Sequence, residues 1–104
     1  MGTEYDKLVR DDIPEVIEGN GKTPVTHVAD DAEYERRLLD KLDEEVEEYR
    51  KDGTAEELAD VLEVVHAIGK HHGVSREELD QRRESKADER GRFDERIVLE
   101  RVVR

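Results

Sequence analysis

Glu45, Glu48, Glu57 and Asp60 lie in the stretch KLDEEVEEYRKDGTAEELADVLEVV, residues 41–65, where acids share helix sides with leucine and valine. An unpaired carboxylate among apolar side chains either costs free energy or takes up a proton. A divalent cation removes that cost. Two carboxylate pairs at i,i+3 on neighbouring helices would bring several oxygens to one point, the donor set that hard Mg²⁺ (or Mn²⁺) prefers. Such an ion keeps waters and takes phosphate oxygens as its remaining ligands. The chemistry this suggests is hydrolysis of a phosphoanhydride, with the metal offsetting charge and orienting a water.

The elements that must position these groups are helices. A first long helix is expected from about Asp31 to Lys51, capped by Asp30 with Glu33 three residues on. Tyr34, Leu38, Leu39, Leu42, Val46 and Tyr49 form its apolar stripe. At 100° per residue Glu45 falls about 50° from the stripe's centre and Glu48 at its edge, while Glu44 and Glu47 point well away. A second helix starts after Thr54 and ends at Gly73, with Leu58, Val61, Leu62, Val64, Val65 and Ile68 covering most of its circumference. Glu57 and Asp60 stand outside its polar stripe, which places Asp60 at least partly in the interior. A third helix begins at the Ser75 capping box and runs towards Arg90 and Gly91, with only Leu79 and Ala87 as apolar residues.

Ahead of these helices, RDDIPEVIEGNG reads as one or two helical turns stopped by Gly19 and Gly21. TPVTHVA, with Val25 and Val28, reads as a short strand, and RIVLERVV (96–103) as a second. The expected architecture is mainly α: one domain over residues 1–104, with an N-terminal segment (1–29), a helical core (30–91) and a C-terminal strand (92–104). The two short strands would pair as a small β ribbon beside the helical bundle.

Competing explanations exist for each acid. The chain has 30 Asp and Glu among 104 residues, so i,i+3 acidic pairs arise by chance. Glu57 is also the N3 residue of a Thr54-x-x-Glu57 capping box, and the helix dipole opposes a cation near that N-terminus. His71 and His72 are adjacent on a helix, so they point about 100° apart and cannot share an ion.

A formal charge of −12 would repel a nucleic-acid duplex or an anionic membrane. Arg outnumbers Lys twelve to six, and this acid-rich, lysine-poor balance is that of a halophilic protein, whose self-repulsion salt screens. There is no Cys, hence no disulfide or thiolate metal site. No apolar run approaches a membrane span and no signal-peptide core follows Met1, so a cytoplasmic location is expected. Val, Ile, Leu and Phe together number 25, a thin core for one chain, which points to completion of the core in a homo-oligomer.

EEVEE followed by EELADVLEVV resembles the EExxE…ExxD signature of the all-α nucleoside triphosphate pyrophosphohydrolases, the MazG-like superfamily that includes phosphoribosyl-ATP pyrophosphohydrolase. KLVRDDIPEVI, KADERGRF and the terminal RIVLERV resemble a small house-cleaning subgroup of it. The resemblance implies metal ligands at Glu45, Glu48, Glu57 and Asp60, with Glu44 as the first letter of the motif. It implies cleavage between the α and β phosphates to a nucleoside monophosphate and pyrophosphate, and a homodimer or homotetramer. Some relatives carry an Asn near the phosphate-binding lysine that KADERGRF lacks, and His66 does not fall where the phosphoribosyl-ATP enzymes place their histidine. Lys7, Arg10, Lys86 and Arg90, in the two flanks that carry the resemblance, are the residues expected to meet substrate phosphates. Two other functions fit the same residues: a non-catalytic acidic helical oligomerisation or adaptor module, and a nucleotide sensor that binds without turnover.

Overall fold

A short helix, α1 (Ile13–Gly19), is followed by three longer ones, α2 (Asp31–Asp52), α3 (Ala55–His71) and α4 (Arg76–Arg90), in a computed structural model that describes residues 2–104. Each long helix starts where the sequence places a cap. The Asp30 carboxylate accepts from the Glu33 N–H at 2.9 Å, the Thr54 hydroxyl from that of Glu57 at 3.3 Å, and the Ser75 hydroxyl from that of Glu78 at 3.1 Å. Pro14 sits in the first turn of α1, where its missing N–H costs nothing.

The α2 helix ends at Gly53, whose φ of 63° lies in the left-handed region and whose N–H donates to the Tyr49 carbonyl at 2.8 Å. Thr54 then starts α3 at once, so α2 and α3 form an antiparallel hairpin and pack along their length. At its open end the Tyr34 ring meets His71 edge-on, 5.3 Å between centroids. Leu38 and Val64 are the buried residues of this packing, 3% and 7% exposed. Helix α4 touches α3 lightly, where Leu79 approaches Gly69; a Cβ on Gly69 would come within 3.3 Å of the Val74 carbonyl oxygen and 3.7 Å of Leu79 Cδ2. Among the described residues no helix is long and apolar enough to cross a membrane.

The expected β ribbon is not formed. Among the described residues there is no strand, and the segments around Val25 and Val28 and from Ile97 to Val103 carry no regular secondary structure. Val25 and Val28 are 97% and 98% exposed, so no face covers them. A lone two-stranded ribbon is marginal in water unless a third strand or a helix covers its apolar side. Here α2 and α3 turn their buried sides to each other, and Pro24 removes a ladder donor from the first segment.

Candidate metal centre

The α2–α3 hairpin brings Glu45, Glu57 and Asp60 together. One carboxylate oxygen from each can be chosen so that all three lie within 4.8 Å of one another, and all three residues are half-buried. Glu45 is the most enclosed, its side chain 13% exposed, as its place near the apolar stripe of α2 predicts. Asp60 is half-buried, also as its helical position predicts. Glu48, one turn beyond Glu45, stays outside this three-oxygen group but is near enough to act on Glu57 through its charge.

The capping explanation of Glu57 is only half met. Thr54 caps its N–H, but no hydrogen bond ties the Glu57 carboxylate back to the cap among the described residues. At the Ser75 cap, by contrast, the Ser75 hydroxyl also lies 3.4 Å from Glu78 Oε1. The Glu57 carboxylate instead faces other acids. Partial desolvation, and then the charges of Asp52, Asp60, Glu48 and Glu45, push it above its ordinary protonation range.

Two of the four basic residues expected at phosphates lie beside these acids. Arg10 donates to Asp60 Oδ1 at 2.8 Å, and Lys7 donates to Glu44 Oε1 at 2.6 Å. The hydrogen bond to Glu44 holds the Lys7 ammonium above its usual range, with the charges of Glu44, Glu45 and Glu48 adding to it. Lys86 and Arg90 lie on α4, and no ion pair or hydrogen bond joins either to the carboxylates among the described residues.

Lys41 and Glu44 take parts that the helical wheel does not give them. Lys41, 16% exposed, bridges Glu44 and Glu45 at 3.2 Å each. Glu44 does not point well away: the N-terminal segment folds along that side of α2 and sandwiches it between Lys7 and Lys41. Burial raises the Glu44 pKa, but the hydrogen bonds from these two lysines outweigh it and leave the group below its usual value. The i,i+3 and i,i+4 spacing of Lys41 to Glu44 and Glu45 was visible in the sequence; the approach of Lys7 was not. Together Glu44, Glu45, Glu48, Glu57 and Asp60 outnumber the cations Lys7, Arg10 and Lys41, so the region holds an excess of negative charge.

Compared with known proteins, the chain is 54% identical over 44 residues to an uncharacterized protein of Mycolicibacterium smegmatis (strain ATCC 700084 / mc(2)155). That match covers 42% of this chain and 45% of the relative, less than two thirds of its length. No family model and no solved structure matches the chain.

Proposed function

We propose that the chain is a Mg²⁺- or Mn²⁺-dependent nucleotide pyrophosphohydrolase that splits a nucleoside triphosphate into monophosphate and pyrophosphate. The observation that carries this reading is the convergence of Glu45, Glu57 and Asp60 oxygens within 4.8 Å, beside Lys7 and Arg10. The donor set fits a hard divalent ion: it is all oxygen, it is held on two rigid helices, and its Glu57 member lacks a cation of its own. Glu45, Glu57 and Asp60 would hold the ion, with Glu48 close by. A bound ion would supply charge neutralisation and a water of lowered pKa.

The remaining work falls to the chain's own side chains. Lys41 pairs with Glu45 and orients it from one turn away. Lys7 and Arg10 lie where a polyphosphate must arrive if it shares the ion, and they offset its charge in a net-negative site. Hydrolysis adds the elements of water across the α–β anhydride, with oxygen joining the α phosphorus and pyrophosphate leaving. No Ser or Cys stands in this group as a nucleophile, so a direct attack by water is the route proposed.

Leu39, Leu58 and Leu62 of the hairpin are 54%, 51% and 54% exposed, and this favours a homodimer or homotetramer that covers them. The acid surplus and the arginine preference favour a cytoplasm of high salt. A panel of NTPs, dNTPs and oxidised analogues with a pyrophosphate readout tests the activity. Orthophosphate and a diphosphate as the only products would overturn the bond assignment. Stoichiometric Mn²⁺ and nucleotide binding without turnover would identify a sensor, and neither binding nor turnover an adaptor. Sedimentation in high salt tests the oligomer; a monomer whose melting temperature ignores concentration would refute it.

A further inference from the structure

Three segments of chain meet at Arg37. Its guanidinium, 17% exposed, donates from Nη1 to the Asp6 carbonyl at 2.7 Å and from Nη2 to Asp6 Oδ1 at 2.9 Å. Its Nε donates to Glu33 Oε2 at 3.2 Å, and the Glu33 carboxylate meets His27 Nε2 at 2.9 and 3.0 Å. Residue 6, residue 27 and the first two turns of α2 are therefore tied at one point.

Asp6 is a residue that needs holding. Its φ of 44° lies in the left-handed region, which aspartate tolerates but does not prefer. A backbone in that state persists where surrounding contacts over-determine it. Arg37 grips both the carbonyl and the carboxylate of Asp6, a two-point hold on backbone and side chain together. The next residue is Lys7, on Glu44 at 2.6 Å, and Arg10 reaches Asp60 at 2.8 Å. Arg37, Lys41 and Glu44 follow one another along one side of α2, and with Asp6, Lys7 and Leu8 they line a small cleft. The strap of residues 6–10 has no helix of its own to fix it.

We propose that Arg37 is a positioning residue: by fixing Asp6 it sets the N-terminal strap across the α2–α3 hairpin, so that Lys7 and Arg10 lie at the carboxylates. An ordinary exposed ion pair would contribute little and would fix no direction. The effect on the strap stands independently of function, and its effect on catalysis rests on the pyrophosphohydrolase reading.

Trypsin reads the strap directly, because the Lys7–Leu8 bond is a cleavage site within it. In Arg37→Ala, cutting after Lys7 should quicken about tenfold, the factor carried by a charge-assisted hydrogen bond of ordinary strength. Cutting after Lys51 and Lys70, in α2 and α3, should not change. Asp6→Ala should act in the same direction, and the double variant should add nothing to Arg37→Ala, since Asp6→Ala removes only the carboxylate half of a hold that Arg37→Ala removes whole. An unchanged rate at Lys7 overturns the proposal. So does a rise shared equally with Lys51 and Lys70, which would make Arg37 a general stabiliser.

The kinetic arm asks for a split that loss of stability would not produce. KM for the triphosphate should rise about tenfold in Arg37→Ala while kcat stays within about threefold. Arg37→Lys keeps the charge but cannot grip both Asp6 oxygens, so it should restore the melting temperature and leave KM raised. A fall in kcat with KM unchanged would refute the positioning role in catalysis. If the native chain hydrolyses no nucleotide, the pyrophosphohydrolase reading fails, and the proteolysis still decides the strap.

Discussion

Glu44 and Glu57 are both half-buried glutamates on the same helical hairpin, and their environments push them in opposite directions. Glu44 sits between Lys7 and Lys41, and these bonds leave its carboxyl below the usual range despite burial. Glu57 loses some solvent, faces Asp52, Asp60, Glu48 and Glu45, and is pushed above it. The difference lies in which segment reaches each group. The strap lays a lysine on Glu44, whereas the arginine it sends towards α3 bonds to Asp60 and leaves Glu57 without a cation. One carboxylate is already neutralised by the protein; the other still lacks a counter-charge, and that is the distinction between a structural acid and one open to a ligand.

The largest effect should come from the side where Glu45, Glu57 and Asp60 converge. Asp60→Asn should lower turnover at least about a hundredfold, a loss that even the outer partners of metal ligands can produce. The fold should be kept, because the substitution gives up only an exposed ion pair with Arg10 and takes one charge out of the acidic group; pyrophosphate release and a thermal melt check both. On the compensated side, Lys7→Ala should raise KM by about tenfold through loss of one charge-assisted phosphate contact, with Mn²⁺ binding nearly unchanged. A loss of Mn²⁺ binding as large as that of Asp60→Asn would erase the contrast between the two groups.

Acid should separate the pair next. Glu57 has a raised pKa in the fold, so on acidification it takes up its proton above its reference value of 4.5, which adds stability and removes a ligand. Glu44 has a lowered one, so its ion pairs stabilise the fold above 4.5 and are lost only as the pH falls further, through its depressed value. Mn²⁺ affinity should therefore weaken as the pH falls towards 4.5, before the melting temperature falls. Calorimetric titration and melts across that range check the order, and Glu57→Gln should flatten the first change. The smallest effect is expected from Glu47→Gln: this exposed residue on α2 takes no part in either group, and activity should stay within about twofold.

Those outcomes bear on how far the sequence alone reaches. The caps at Asp30, Thr54 and Ser75 are local chemistry, so they place the starts of α2, α3 and α4 correctly. The nearness of Glu45, Glu57 and Asp60 was legible too, since two amphipathic helices with a two-residue connection have to fold back on each other. Glu44 was misplaced because a helical wheel records only the helix, and the strap that makes its face an interior one arrives from 37 residues away. Lys86 and Arg90 are placed by α4, whose light packing on α3 near Leu79 and Gly69 no periodicity encodes. TPVTHVA alternates loosely and the 96–103 run is rich in Val and Ile, yet strand-forming residues do not supply the covering surface that pairing requires.

Gly53 has a consequence for how the chain folds. The turn it closes joins α2 and α3 with almost no loop, so the contacts that gather Glu45, Glu57 and Asp60 are close in sequence and cost little closure entropy. Like charges are thus forced together as soon as the hairpin zips, early rather than late on the folding path. Where the transition state already holds this hairpin, the repulsion weighs on it as well as on the native state. High salt or a divalent ion present during folding would then act on the rate at which the hairpin forms, and not only on how long the finished fold survives.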